Sequence, residues 1–105
     1  MSRPSNSSKT IPENALQALR AFGENLRVAR ERRGESLRAW AARMDASVPT
    51  IRRMEAGDPT VGAGVFATAL WLCGQADALA GVLSPASDTA AHEIEIARAA
   101  RRRRK

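Results

Sequence analysis

One cysteine, one histidine, no tyrosine and only four Phe and Trp residues occur in 105 positions. The lone Cys73 excludes an intramolecular disulfide and any multi-cysteine zinc site. Set in the apolar run ALWLCG, it is expected to be a small buried side chain. His92, beside Glu93 in a polar segment, reads as a surface histidine rather than a metal ligand or general base. No run of eighteen apolar residues is present, so no transmembrane helix or membrane partner is expected. The opening MSRPSNSSKTIP lacks the apolar stretch of a secretory signal, and a cytoplasmic location follows as the expectation. Glu55 and Asp58 are neighbouring carboxylates, but one ends a helix and the other opens a turn, which suits capping or ion pairing better than acid–base work. Gly62-Ala63-Gly64 opens a helix whose N–H groups could meet an anion, yet no Lys stands beside it as in a phosphate loop. No catalytic residue, cofactor or metal is therefore expected, and the chain reads as a binding protein rather than an enzyme.

What is present is aliphatic and basic. The chain is 44% hydrophobic but 4% aromatic, a composition that favours helices over sheets. The net charge of +6 points to an anionic partner. Its distribution is uneven. Arg20 to Arg53 holds nine Arg against four acids, whereas Met54 to Ala97 holds no Lys or Arg and six acids. The sequence then closes on Arg98 and the run Arg101–Lys105. Such a pattern predicts a molecule with one electropositive face and one apolar to acidic face.

Residues 1–12 lack periodicity and read as a disordered N-terminal arm. Pro12-Glu13 suits a helix start. Leu16, Leu19, Phe22, Leu26 and Ala29 then mark an apolar stripe to about Arg33, with Gly34 as its stop. Gly23 inside that helix costs about 1 kcal/mol relative to Ala. Ser36 and Ser47 cap a second and a third helix, separated by a turn at Asp45-Ala46 and closed by Gly57. Residues 62–73 form a fourth, strongly apolar helix and residues 75–83 a fifth. Residues 87–100 alternate like a strand at HEIEIA, but the surrounding Ala, Glu and Arg favour helix. The expected organisation is thus a domain over 13–84, then a C-terminal segment over 85–105 that ends in a basic disordered tail.

The segment 37–57, LRAWAARMDASVPTIRRMEAG, carries the functional signal. Trp40, Met44, Ala46, Ile51 and Met54 fall where two short crossing helices would face each other, and Ala41 is small where they come closest. That spacing predicts a helix-turn-helix. The outward residues of its second helix are Ser47, Val48, Pro49, Thr50, Arg52 and Arg53, suited to a DNA major groove. An ordinary αα-hairpin would not need the exposed Arg pair. Arg can donate two hydrogen bonds to guanine, whereas Val48 and Pro49 offer apolar contact only. Arg38 and Arg43 on the first of the two helices can serve phosphates electrostatically.

With its helix-turn-helix as helices two and three of an all-α, five-helix domain, the chain resembles the λ-repressor-like or Xre family of DNA-binding proteins over roughly residues 16–83. Ser36 to Gly57, ending in TIRRMEAG, carries the resemblance most specifically. It implies that Ile51 anchors the recognition helix and that Glu55 reaches an Arg on the first helix. It also marks two departures. Leu37 stands where the family carries a phosphate-binding Gln, and Asp45 stands where it carries Gly; Asp tolerates a positive φ better than most residues. The run MEAGDPTVGAGVFATALWLCG is similar to HipB-type antitoxins. That finer resemblance implies an autoregulating repressor paired with a HipA-like kinase toxin.

Double-stranded DNA with a palindromic operator is the expected partner, read by a homodimer. Val65, Phe66, Leu70, Trp71, Leu72, Leu79, Val82 and Leu83 exceed what a five-helix core of this size needs, and Trp71 with its neighbours is the expected exposed fraction. The alternatives are a stand-alone or phage-type regulator without a toxin, a module that restrains a protein partner, and a non-specific nucleic-acid binder that works through its Arg tail.

Overall fold

The computed structural model describes residues 10–104. Residues 1–9 of the expected N-terminal arm and Lys105 of the expected tail lie outside the described residues. Six α-helices run between Glu13 and Arg103, with no strand among the described residues. They are α1 (Glu13–Arg32), α2 (Leu37–Arg43), α3 (Val48–Glu55), α4 (Ala63–Leu72), α5 (Ala76–Ala80) and α6 (Thr89–Arg103), with a 3-10 turn at Pro85–Ser87. The all-α fold agrees with the sequence: five helices fall within the expected domain, and the sixth is the helix expected over 87–100.

α1 starts where Pro12 blocks further helix and places Glu13 in its first turn and Arg30 and Arg32 in its last, each matched in sign to the helix dipole. On its wet face Arg27 bonds both Glu24 and Glu31, three and four residues away. Its inner face buries Gly23, Leu26 and Arg30. α2 and α3 begin at serine caps as expected. The Ser36 hydroxyl accepts from Ala39 N–H at 3.0 Å, and that of Ser47 from Thr50 N–H at 3.2 Å. Pro49 sits in the first turn of α3, where its missing N–H costs little.

The core is one cluster: Leu26, Trp40, Ala41, Met44, Ile51, Met54, Val61, Phe66 and Ala69. Trp40, Ile51 and Met54 are fully buried. α3 packs on both α1 and α2, and α4 packs on α5. Phe22 of α1 stacks on Phe66 of α4 with ring centroids 5.4 Å apart, which ties the apolar helix to α1.

Three expectations change at the C-terminal end. Cys73 caps α4 and is half-buried against the core rather than buried. α5 stops at Ala80, and Leu83 takes a φ of 57°, a left-handed conformation that a bulky side chain disfavours. The segment after Pro85 is helical through Arg103, so the basic run read as a disordered tail forms the last turn of α6. Asp88 starts this helix by accepting from Ala91 N–H at 3.1 Å, and the terminal arginines complement the negative end of the dipole. The Ile94/Ile96 alternation has no strand to pair with, and helix propensity decides. α6 buries none of its residues. The described chain accordingly spans 63 × 33 × 23 Å with a radius of gyration of 18.4 Å, against about 13 Å for a compact domain of this length.

Candidate nucleic-acid interface

The turn between α2 and α3 fixes how the two helices cross. Asp45 takes a φ of 52°. Its own N–H donates to the Ala42 carbonyl at 3.3 Å, and that of Ala46 to the Ala41 carbonyl at 2.9 Å. This is the capping arrangement that usually has glycine at the left-handed position. The chain reverses there within four residues, and Trp40, Met44, Ile51 and Met54 meet beneath it.

Two features anchor α3 to α1. The first is a pair of glycines. A Cβ at Gly23 would stand 2.6 Å from the carbonyl oxygens of Met54 and Glu55, and one at Gly57 would stand 2.5 Å from Cα of Arg20. The end of α3 and the middle of α1 therefore touch backbone to backbone. The helix-weakening cost of Gly23 is the condition of that contact. Gly57 serves twice, since its φ of 72° also ends α3. The second feature is a buried ion pair. Arg30 Nε donates to Glu55 Oε2 at 2.8 Å, and its terminal nitrogens donate to Glu55 Oε1 at 3.1 Å and to the Glu35 carbonyl at 2.9 Å. Glu55 thus reaches an Arg of the first helix, as the resemblance implies. The bidentate bond to Glu55 holds the Arg30 guanidinium charged, above its ordinary pKa.

With its inner face held, α3 presents the rest outward. Ile51, Met54 and Glu55 are buried, Val48 and Thr50 are half-buried, and Ser47, Pro49, Arg52 and Arg53 are exposed. At about 100° per residue, Pro49 and Arg53 share the face opposite the buried residues, and Arg52 lies on its flank. Thr50 organises the start of this face. Its hydroxyl shares a 2.8 Å hydrogen bond with Ser47 and accepts from Arg53 at 3.5 Å. Beyond the helix, Asp58 accepts from both the hydroxyl and the N–H of Thr60 at 2.7 and 2.8 Å. These bonds, with a smaller contribution from the charge of Arg53, hold its carboxyl below the usual range.

The two cations expected to serve phosphates differ. Arg38 is exposed and, like Arg52, has no ion-pair partner among the described residues. Arg43 donates to Glu35 Oε2 at 2.6 Å, while Glu35 Oε1 accepts from the indole N–H of Trp40 at 3.0 Å. First the Trp40 bond and then the Arg43 bond keep the Glu35 carboxyl ionised below its ordinary pKa. Glu35 therefore locks the one polar atom of the core tryptophan and takes part of the charge of Arg43. Leu37, in place of a polar side chain, packs against the core.

Sequence reasoning left Gly23, Arg30 and Glu35 unassigned. Arg30 did carry a signal, since Leu19, Phe22, Leu26 and Arg30 continue one stripe at three- and four-residue spacing.

A family described as a helix-turn-helix domain matches residues 21–83, from within α1 through α5. No curated protein and no solved structure matches the chain.

Proposed function

The chain belongs to the helix-turn-helix domain family, and on that premise we propose that it is a sequence-specific DNA-binding transcriptional repressor that uses α3 as its recognition helix. One observation carries this reading. Pro49 and Arg53 stand on the exposed face of a helix whose other face is anchored by buried Ile51, Met54 and Glu55. A rigid helix with a forked cation at its outward centre can place two parallel hydrogen bonds on guanine O6 and N7. Arg53, braced by Thr50, is the base-reading residue. Arg52 and Arg38, without ion-pair partners among the described residues, are phosphate-binding residues, with Arg43 a weaker one because Glu35 shares it.

The repressor acts as a homodimer on a palindromic operator, since one recognition helix covers only a few base pairs. Selection from a random duplex pool supplies the operator for the test. Arg53→Ala should lower the preference for the selected duplex over a scrambled one by about 5- to 150-fold, the equivalent of ~1–3 kcal/mol for one bidentate contact. Arg52→Ala should weaken both duplexes alike and flatten the dependence of log K on log salt by about 0.9. If neither change alters preference, α3 is not the reader.

Within this reading, the resemblance of Met54–Gly74 to HipB-type antitoxins supports an autoregulating antitoxin whose partner is a HipA-type kinase. A neighbouring kinase gene whose product co-purifies and tightens operator binding would establish that role. Absence of both makes the chain a stand-alone regulator.

A further inference from the structure

Base reading by α3 leaves the arginines of α6 without a task. This helix buries none of its residues, so packing does not explain its composition. Arg98 and Arg101–Arg104 place five guanidinium groups within seven positions, all of them exposed. None makes an ion pair among the described residues. Arg98 stands three and four positions before Arg101 and Arg102, and Arg101 three before Arg104, spacings at which like charges repel along a helix. The negative end of the helix dipole offsets part of that repulsion. An external polyanion offsets the rest.

We infer that Arg98 and Arg101–Arg104 form a second DNA contact, a sequence-independent grip on duplex phosphates outside the base pairs that α3 reads. The inference rests on the reading of the chain as a DNA-binding protein. Charge, reach and shape select the occupant. Residues 54–97 carry six acids and no Lys or Arg, so the cations before Met54 and those of α6 are two separate regions with an anionic stretch between them. The described chain is 63 Å long, and a duplex offers a phosphate charge about every 1.7 Å along its axis, so one duplex can meet both regions. Successive helical residues turn by about 100°, so Arg101–Arg104 point to every side of the helix end. A forked guanidinium on each side suits the phosphate rows of a groove. Ile94 and Ile96 stand about 200° apart, so α6 lacks the single apolar face of a membrane-surface helix. Residues 97–104 are Ala and Arg alone, with no large apolar anchor to fill a pocket on a protein partner.

Salt titrations of binding test the assignment, on selected and scrambled duplexes that extend a full helical turn past the selected site. The variants carry Gln, or in a second chain Lys, at Arg101, Arg102, Arg103 and Arg104 together. Since α6 buries nothing, both should keep the fold, which far-UV circular dichroism checks. The Gln chain should flatten the dependence of log K on log salt by about 1.8 or more, two phosphates at ~0.9 each. The loss should be equal on both duplexes, with the preference between them unchanged. The Lys chain, which keeps the charge, should keep the wild-type slope. Trimming the duplex to the selected site should abolish the difference between wild type and the Gln chain. An unchanged slope in the Gln chain, a difference that survives trimming, or a slope lost equally with Lys would each overturn the proposal. So would arginine-dependent binding to phosphatidylserine vesicles by a chain whose DNA slope does not depend on these residues. If wild type prefers no duplex yet the Gln chain still loses slope, base reading by α3 fails and the second contact stands.

Discussion

Residues 13–57 and residues 58–104 are built on different terms. The first region supplies six of the nine core residues and one exposed large hydrophobic, Val28; the second supplies three core residues and six exposed ones. Among the described residues, every ion pair between Arg and a carboxylate lies in the first region, while the second has only a long His92–Glu95 contact. The first region pairs several of its charges internally and buries most of its large apolar side chains. The second covers neither α5 nor α6. The same chain packs Trp40 to zero exposure and leaves Trp71 at 64%: its first region builds most of the core, and its second keeps most of its large apolar side chains at the surface.

That contrast can be broken most sharply at the buried ion pair. Glu55→Ala should cost about 3–5 kcal/mol, because it strands the Arg30 guanidinium in the core with only the Glu35 carbonyl. In a domain of ordinary marginal stability, this removes much of the total, and urea unfolding monitored by circular dichroism measures it. Next in size is Gly23→Ala. Helix propensity alone predicts a gain of about 1 kcal/mol. The 2.6 Å approach to two backbone carbonyls predicts a net loss instead, of roughly 2 kcal/mol as for other overpacked sites. A more stable variant would show that the backbone contact between α1 and α3 is dispensable. The smallest effect is the acid response of Glu35. Its folded pKa is depressed, so its contribution is fully present above the ordinary carboxylate value of 4.5 and is lost as pH falls through the folded value. Glu35→Gln should therefore flatten the acid limb of the stability profile below about pH 4.5 and leave neutral pH less stable than wild type. Removal of α6 beyond Asp88, which buries none of its residues, should leave the unfolding midpoint of the domain nearly unchanged.

How much of this was legible depended on sequence distance. The helix-turn-helix could be read because its caps, Ser36 and Ser47, and its apolar spacing act within one or two turns. The outward set Ser47 to Arg53 followed from the same periodicity, although the ranking of Arg53 over Arg52 needed the buried face to be known. Gly23 could be seen only as a weakness, since the carbonyls that explain it lie more than thirty positions away. Glu55 was expected to meet an Arg, but several on α1 were available, and only packing selects Arg30. The C-terminal segment was hardest to read. Its alternating isoleucines and its Ala and Arg content point to different structures, and no buried contact arbitrates between them.

The two indoles divide the optical properties of the chain as they divide its surface. With no tyrosine in the sequence, excitation near 280 nm reaches only Trp40 and Trp71. The first is sealed at 0% exposure, the second open at 64%. Emission from the folded single chain is then the sum of a short-wavelength and a long-wavelength component, and a water-borne quencher extinguishes mainly the second. Melting of the core exposes Trp40 and raises the quenchable share. A partner that covered Trp71 would lower it. Unlabelled protein therefore carries two separable signals, one from the core and one from the surface of α4.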